Sequence, residues 1–233
     1  MKKEKCTAIV LAAGKGTRMG TKIHKQYLEI CGRPVLYYAI NAFEQSDVID
    51  DIVLVTGQDE IEYCRKEIVE KYNLSKVRFI VAGGKERYNS VYNGLKCVED
   101  GIVFIHDGAR PFVDRDTIMR AYNTVITEGA CIVAMPVKDT IKISDKEGYV
   151  ESTPDRSTVW MVQTPQVFSA EIIKAAYDKI MKTDCTGVTD DAMVVEQTMD
   201  RKVKFVEGSY MNIKITTPED LEIGELFVKK LEK

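Results

Sequence analysis

Histidine and tryptophan are scarce in this chain of 233 residues, which holds two of the first and one of the second. Two imidazoles, His24 and His106, are too few for a multi-histidine metal centre. The six cysteines, Cys6, Cys31, Cys64, Cys97, Cys131 and Cys185, include no C-x-x-C pair, which removes zinc-ribbon and thioredoxin-like readings. Several lie inside apolar, strand-like runs, where a free cysteine behaves as a small core residue. That pattern fits a reducing compartment and a cytoplasmic location. No G-x-S-x-G elbow exists, so that hydrolase class has no support. No apolar stretch approaches the roughly 20 residues of a membrane helix. Lys2, Lys3 and Lys5 before the run from Cys6 to Gly14 faintly imitate a signal peptide, but Glu4 interrupts the basic region and a buried first strand is the better reading. Charge of one sign is also missing. Lys plus Arg total 33 against 36 Asp plus Glu, a net of −3, so no uniform surface for nucleic acid or membrane is expected. A local cluster of basic side chains for a small phosphate ligand is still compatible with it.

What is present is a core. Hydrophobic residues are 45% and charged residues 30% of the chain, enough for a globular protein without disulfide staples. Short apolar runs alternate with helical patterns. Thr7–Leu11, Ile52–Val55, Val77–Val81, Ile102–Ile105 and Cys131–Met135 read as strands. Helices are expected from Pro34 to about Gln45, Asp59 to Tyr72, Glu86 to Val98 and Asp116 to Glu128. Uninterrupted apolar strands, each followed by a helix, imply an α/β parallel sheet covered on both faces. The pattern breaks at Pro136. Thr140–Ser144 alternates, Asp145–Gly148 forms a turn and Tyr149–Thr153 is extended, a hairpin too polar for the sheet centre. It reads as an arm leaving the body. Helices near Ser169–Met181 and Asp190–Met199, a strand at Val203–Val206 and a last helix from Pro218 complete the chain. With no repeat or linker, residues 1–233 read as one domain carrying an arm at about 137–159.

Three groups of residues carry chemistry. The first is Leu11-Ala12-Ala13-Gly14-Lys15-Gly16-Thr17-Arg18-Met19-Gly20, directly after the first strand. Glycines let backbone N–H groups approach phosphate oxygens, and Lys15, Arg18, Lys22 and Lys25 add charge. It is neither a P-loop, which ends Gly-Lys-Ser/Thr, nor a dinucleotide fingerprint, whose third glycine comes one residue earlier. The second is His106-Asp107-Gly108-Ala109-Arg110-Pro111, at the carboxyl end of the fourth strand, where ligands of open sheets bind. A carboxylate there can hold Mg²⁺ against phosphate, or merely cap a helix. His106 reads as a hydrogen-bonded structural residue. The third group is Pro154-Asp155-Arg156, Gln163-Thr164-Pro165-Gln166, Thr189-Asp190-Asp191-Ala192 and the segment from Asn212 to Leu221, each of which alone is a turn, a cap or a salt bridge.

Taken together these segments resemble the cytidylyltransferases that act on 2-C-methyl-D-erythritol 4-phosphate in the non-mevalonate isoprenoid pathway. The opening glycine loop is common to many sugar-phosphate nucleotidyltransferases. Lys25-Gln26-Tyr27, Gly83-Gly84 with Glu86-Arg87 and Ser90, His106 to Pro111, Thr153 to Trp160, Thr164-Pro165-Gln166, Thr189-Asp190 and Asn212-Ile213-Lys214 narrow the resemblance, which spans essentially the whole chain. It implies a Rossmann-like nucleotidyltransferase fold with a mostly parallel sheet, Mg²⁺, and a homodimer clasped by the arm. It implies that Arg18 and Lys25 hold the CTP phosphates in the transition state, and that Arg156 and Lys214 position the phosphate of the second substrate. Asp107 is the implied Mg²⁺ ligand and lies with Ala12, Ala13, Gly14, Gly84 and Ser90 around the nucleotide. Arg110, Thr140, Thr164 and Thr189 are implied to contact the methylerythritol. One departure is His24, where the family often has Pro before Lys25.

The chemistry agrees with the residue types. A phosphate oxygen is already a nucleophile, so attack on the α-phosphorus of CTP requires no general base. It brings two anions together, and positioned Lys, Arg and Mg²⁺ neutralise and align them. Three other readings stay open on sequence: the sister enzyme for ribitol 5-phosphate, a non-catalytic nucleotide-sensing protein on the same fold, and a nicotinamide oxidoreductase. Asp107 to Arg110 with Asp155-Arg156 disfavour the first, the full set of cations the second, and the glycine spacing the third.

Overall fold

The computed structural model describes residues 3–14, 24–183 and 185–231. Seven strands form one sheet in the order β11-β7-β10-β6-β1-β4-β5. They are β1 (Cys6–Leu11), β4 (Asp51–Thr56), β5 (Val77–Ala82), β6 (Ile102–Asp107), β7 (Ala130–Pro136), β10 (Trp160–Ser169) and β11 (Lys204–Glu207). Two small antiparallel pairs stand outside it: β2 (Glu29–Ile30) with β3 (Arg33–Pro34), and β8 (Ile143–Ser144) with β9 (Val150–Ser152). In the large sheet every pairing is parallel except those of β10, which runs antiparallel between β6 and β7.

The strand residues alternate between two cores, as a pleat of period two requires. Ala8, Val10, Ile52 and Leu54 face one core, which is closed by α1 (Val35–Glu44) through Leu36, Ile40 and Phe43 and by α4 (Arg115–Glu128) through Ile118, Ala121 and Val125. Ile9, Val53, Val55, Val103 and Ile105 face the other, closed by α3 (Arg87–Leu95), α5 (Ala170–Ile180) and α6 (Asp191–Thr198). A third cluster, Ile30, Val35, Phe112, Ile215 and Val228, seats the last helix, α7 (Pro218–Leu231), beside the β2–β3 pair. No helix among the described residues is long and apolar enough to cross a membrane.

Several elements depart from the sequence expectation. The stretch read as one helix from Asp59 to Tyr72 is a short α2 (Ile61–Tyr63) that widens into a π-helical run, Cys64–Glu70, with Cys64 and Ile68 buried. The ten-residue β10 was not expected at all. Pro165 and the polar residues Gln163, Thr164 and Gln166 break its apolar run, and its pairing with β7 shifts register between Val162 and Gln166, which is where those residues sit. The hairpin after Pro136 is present but its strands are shorter than read. Val137 N–H donates to Val159 O at 3.1 Å, closing its base. Asp145 Oδ1 accepts from Glu147 N and Tyr149 N, with Gly148 in the left-handed region at φ +91°, and these make its turn. Ile141, Ile143, Tyr149 and Val150 of this arm are all exposed.

Candidate active site

A cleft of about 770 Å³ opens beyond the carboxyl ends of β1, β5 and β6. Ala12, Ala13 and Gly14 continue β1 into it, Gly84, Lys85 and Glu86 follow β5, Arg87 and Ser90 come from the first turns of α3, and Asp107 ends β6. Lys25 and Gln26 enter from a three-residue 3-10 turn, Lys25–Tyr27, and Lys214 from the segment before α7. The two neighbouring glycines at β5 are fixed by space. A methyl on Gly83 would lie 2.4 Å from Ala13 Cβ, and one on Gly84 2.2 Å from Asn89 Cβ. Ser90 Oγ accepts from Gly84 N at 3.0 Å and holds this loop against α3.

Asp107 is the electrostatic centre. Its Oδ2 takes Lys214 Nζ at 2.7 Å and its Oδ1 lies 3.4 Å from Arg87 Nε. Burial alone would raise this carboxyl. The Arg87 and Lys214 charges outweigh it, with Arg110 adding to them, and hold the group well below the usual carboxylate range. Arg87 in turn holds Asp191 with Nη1 and Nη2 at 3.0 and 2.8 Å, and Tyr177 Oη donates to Asp191 Oδ1 at 2.6 Å. Burial opposes the charge on Arg87, but the two carboxylates prevail and raise it further above its ordinary value.

The floor beneath Asp107 is a chain of hydrogen bonds. Asp107 N donates to Thr164 Oγ1 at 3.1 Å, and Thr164 Oγ1 lies 3.0 Å from His106 Nδ1. His106 Nε2 is 2.9 Å from Arg110 O. A carbonyl can only accept, so Nε2 carries the proton and Nδ1 accepts from Thr164. Burial lowers His106 to about 4, and it stays neutral. Both nitrogens are used, which makes His106 structural, as its sequence context indicated.

Lys214 is aimed by its neighbours. Buried Asn212 donates Nδ2 to Gln163 Oε1 and Thr164 O, at 3.2 and 2.8 Å, and Ile215 N donates to Ala109 O at 2.8 Å. Arg110 braces the same segment through Nη1 to Asn212 O at 2.7 Å. On the far side Gln166 Oε1 accepts from Asp191 N and Ala192 N, both at 2.9 Å, and Asp190 caps α6 at Met193 N.

The cleft thus gathers Ala12, Ala13, Gly14, Lys25, Gly84, Ser90, Asp107 and Lys214 from the residues singled out in the sequence. Arg18 lies outside the described residues. Thr164 is a buried floor residue, and Arg110 braces the wall. Thr189, exposed, faces Met193 Sδ at 3.9 Å. Thr140 and Arg156 are exposed on the arm side, where Arg156 Nη1 reaches Lys138 O at 3.1 Å, and neither lines this chain's cleft. Arg87 lines the cleft as well, although the sequence offered it only as part of the Glu86-Arg87 pair after Gly83-Gly84, with no role attached. His24, the residue before Lys25, contacts Glu60 through Nδ1.

A cation-rich cleft at parallel strand ends, centred on one carboxylate, is suited to aligning and neutralising phosphate groups. A family model described as IspD: 2-C-methyl-D-erythritol 4-phosphate cytidylyltransferase matches residues 6–230. The chain belongs to this family. A relative of that name from Lachnospira eligens is 52% identical over 96% of this chain and 99% of its own length. Another from Caldanaerobacter subterraneus subsp. tengcongensis is 48% identical over 96% and 99%. The crystal structure of 4-diphosphocytidyl-2C-methyl-D-erythritol synthase from Anaerococcus prevotii superposes with a TM-score of 0.85 at 37% identity, covering 97% of this chain and 96% of that one. Family membership makes the chain a nucleotidyltransferase. It leaves the ribitol 5-phosphate, sensor and oxidoreductase readings unsupported.

Proposed function

We propose that the enzyme joins CTP and 2-C-methyl-D-erythritol 4-phosphate to give 4-diphosphocytidyl-2-C-methyl-D-erythritol and pyrophosphate. The observation that carries this reading is the Lys214–Asp107 pair, 2.7 Å apart, in a cleft that also receives Lys25. The nucleotide lies along Ala12, Ala13, Gly14, Gly84 and Ser90. Lys25, with Arg18, meets the charge that develops on the phosphoryl group, and Lys214 draws the attacking phosphate toward it. These groups lower the barrier by alignment and neutralisation, and the attacking oxygen gives up no proton.

Asp107 suits Mg²⁺. Its carboxyl is held ionised, and a carboxylate offers about four lone-pair sites, of which Lys214 and Arg87 take two. Mg²⁺ is commonly held by one or two carboxylates, phosphate oxygens and water, so Asp107 together with a triphosphate would be enough to hold it. When bound, the ion would neutralise the triphosphate and fix its geometry.

We read residues 1–233 as one domain with the arm at about 137–159, acting in the cytoplasm as a homodimer without nucleic-acid or membrane partners. The exposed Ile141, Ile143, Tyr149 and Val150 need a cover, and a second copy supplies it. The clasp would carry Thr140 and Arg156 to the partner's substrate, which we place near Arg110 and Thr189 and above the buried Thr164. The test of the reaction is release of pyrophosphate from CTP that depends on the methylerythritol phosphate. Release that ignores the second substrate, or none at all, would refute it.

A further inference from the structure

Lys25 sits in a single 3-10 turn of three residues. So short a turn has little stiffness of its own, and lysine's four-carbon stem is flexible. A cation that must meet charge in a transition state needs a fixed base. Residue 24 has φ −64° and ψ 138°, and a proline ring would fix that φ covalently. Histidine leaves φ free, so the entry to the turn must be held in another way.

Glu60 provides the hold. Its Oε1 contacts His24 Nδ1, just before Lys25. Its Oε2 accepts from Tyr27 Oη at 2.9 Å, two residues after Lys25. The carboxylate is itself pinned to the end of β4, where Oε2 accepts from Gly57 N at 3.1 Å and Thr56 Oγ1 at 3.1 Å. Tyr27 Oη also lies 2.8 Å from Thr56 Oγ1 and 3.3 Å from Cys64 Sγ. Burial pushes the Tyr27 hydroxyl up, with Cys64 adding to it, so it remains a proton donor. Between these two contacts Gln26, buried, donates Nε2 to Ala12 O at 2.6 Å, tying the turn to the nucleotide strand. The rings of His24 and Tyr27 lie near-parallel, with centroids 6.4 Å apart.

We infer that His24 and Tyr27 on Glu60 form a clamp that positions Lys25 for phosphoryl transfer, with His24 doing through its side chain what a proline ring would do through the backbone. His24, Glu60 and Tyr27 are positioning residues, and none of them lines the cleft. The inference rests on the reading of Lys25 as a phosphate-stabilising residue.

The test is steady-state kinetics of single and paired variants of the full chain, with CTP and 2-C-methyl-D-erythritol 4-phosphate. Lys25→Ala should lower kcat on the order of 10²-fold. His24→Ala should lower kcat on the order of 10-fold, with KM for CTP within about twofold and an unchanged melting temperature, since the loss is one hydrogen bond at a partly exposed site. His24→Asn, whose amide nitrogen can take the place of Nδ1, should recover most of the loss. In the Lys25→Ala background, His24→Ala should cost less than about twofold more, because the clamp has nothing left to position. Wild-type kcat in Lys25→Ala would sink the reading of Lys25 and the clamp with it. A damaged Lys25→Ala beside a fully active His24→Ala would sink the clamp alone. So would an equal penalty for His24→Ala in both backgrounds.

Discussion

Arg87 holds Asp191 by two parallel hydrogen bonds, 3.0 and 2.8 Å, while its Nε faces Asp107 at 3.4 Å. One guanidinium therefore joins the cleft's carboxylate to a fully buried carboxylate at the start of α6. The planar fork of arginine makes this geometry, and lysine could not.

Asp191→Ala should destabilise the protein by about 3 kcal/mol, the low end for breaking a buried pair, because Arg87 keeps Asp107 as a partner. Tyr177 would also lose its acceptor. Urea unfolding measures the loss. A variant within about 0.5 kcal/mol of wild type would show that the pair contributes little.

Asp107→Asn keeps the shape of the side chain and removes the charge. The Mg²⁺ concentration for half-maximal activity should rise on the order of 10-fold or more, with a lower maximal rate. A titration of activity against Mg²⁺ reads this directly. An unchanged midpoint would mean that Asp107 serves only to order Lys214 and Arg87.

Stability should fall on the acid side of neutrality. His106 takes a proton near 6.5 in the unfolded chain and at about 4 when folded, because burial disfavours its charge. Between these values the unfolded state binds more protons, so stability drops as pH falls from about 6.5 to about 4, by up to about 3 kcal/mol. Asp107, whose folded value is depressed below an ordinary aspartate, extends the loss to lower pH. Urea midpoints at pH 7 and pH 4.5 should differ for wild type and differ less for His106→Gln. Equal slopes for the two proteins would contradict this assignment.

The arm should complete the site of a second copy. Arg156 and Thr140 do not line the cleft of their own chain, whereas Lys214 does. Inactive Arg156→Ala and Lys214→Ala proteins, mixed under conditions of subunit exchange, should regain roughly a quarter of wild-type activity. Half the dimers are then mixed, and one site in each is intact. Differentially tagged heterodimers that form and stay inactive would place Arg156 in its own subunit's site.

The parts of the fold that were legible in the sequence are those whose physics is local. Ile52–Val55 and Ile102–Ile105 are apolar because both faces of a central parallel strand are covered, so their runs mark the strands. β10 was hidden because Gln163, Thr164 and Gln166 serve the site rather than the core. They hold Asn212, Asp107 and the start of α6 respectively, and their polarity broke the strand pattern. Cleft residues such as Ala12, Gly84 and Asp107 followed from strand ends and from the family resemblance. Arg87 and the Glu60 clamp depend on long-range pairings, 104 residues apart for Arg87 and Asp191 and 36 for His24 and Glu60, which no spacing rule encodes. The polar arm was recognisable by its break in the α/β rhythm, but what it covers is not written in one chain.

In the proposed reaction cytidylyl passes from CTP to a branched tetritol phosphate. Turnover of CTP with 2-C-methyl-D-erythritol 4-phosphate and with ribitol 5-phosphate, followed side by side through pyrophosphate release and recovery of the cytidine-diphosphate product, tests it most directly. Rapid turnover of the methylerythritol phosphate is expected, with Mg²⁺ required and kcat/KM for ribitol phosphate lower by on the order of 10²-fold or more. Preference for ribitol 5-phosphate, or no product from either, would contradict it.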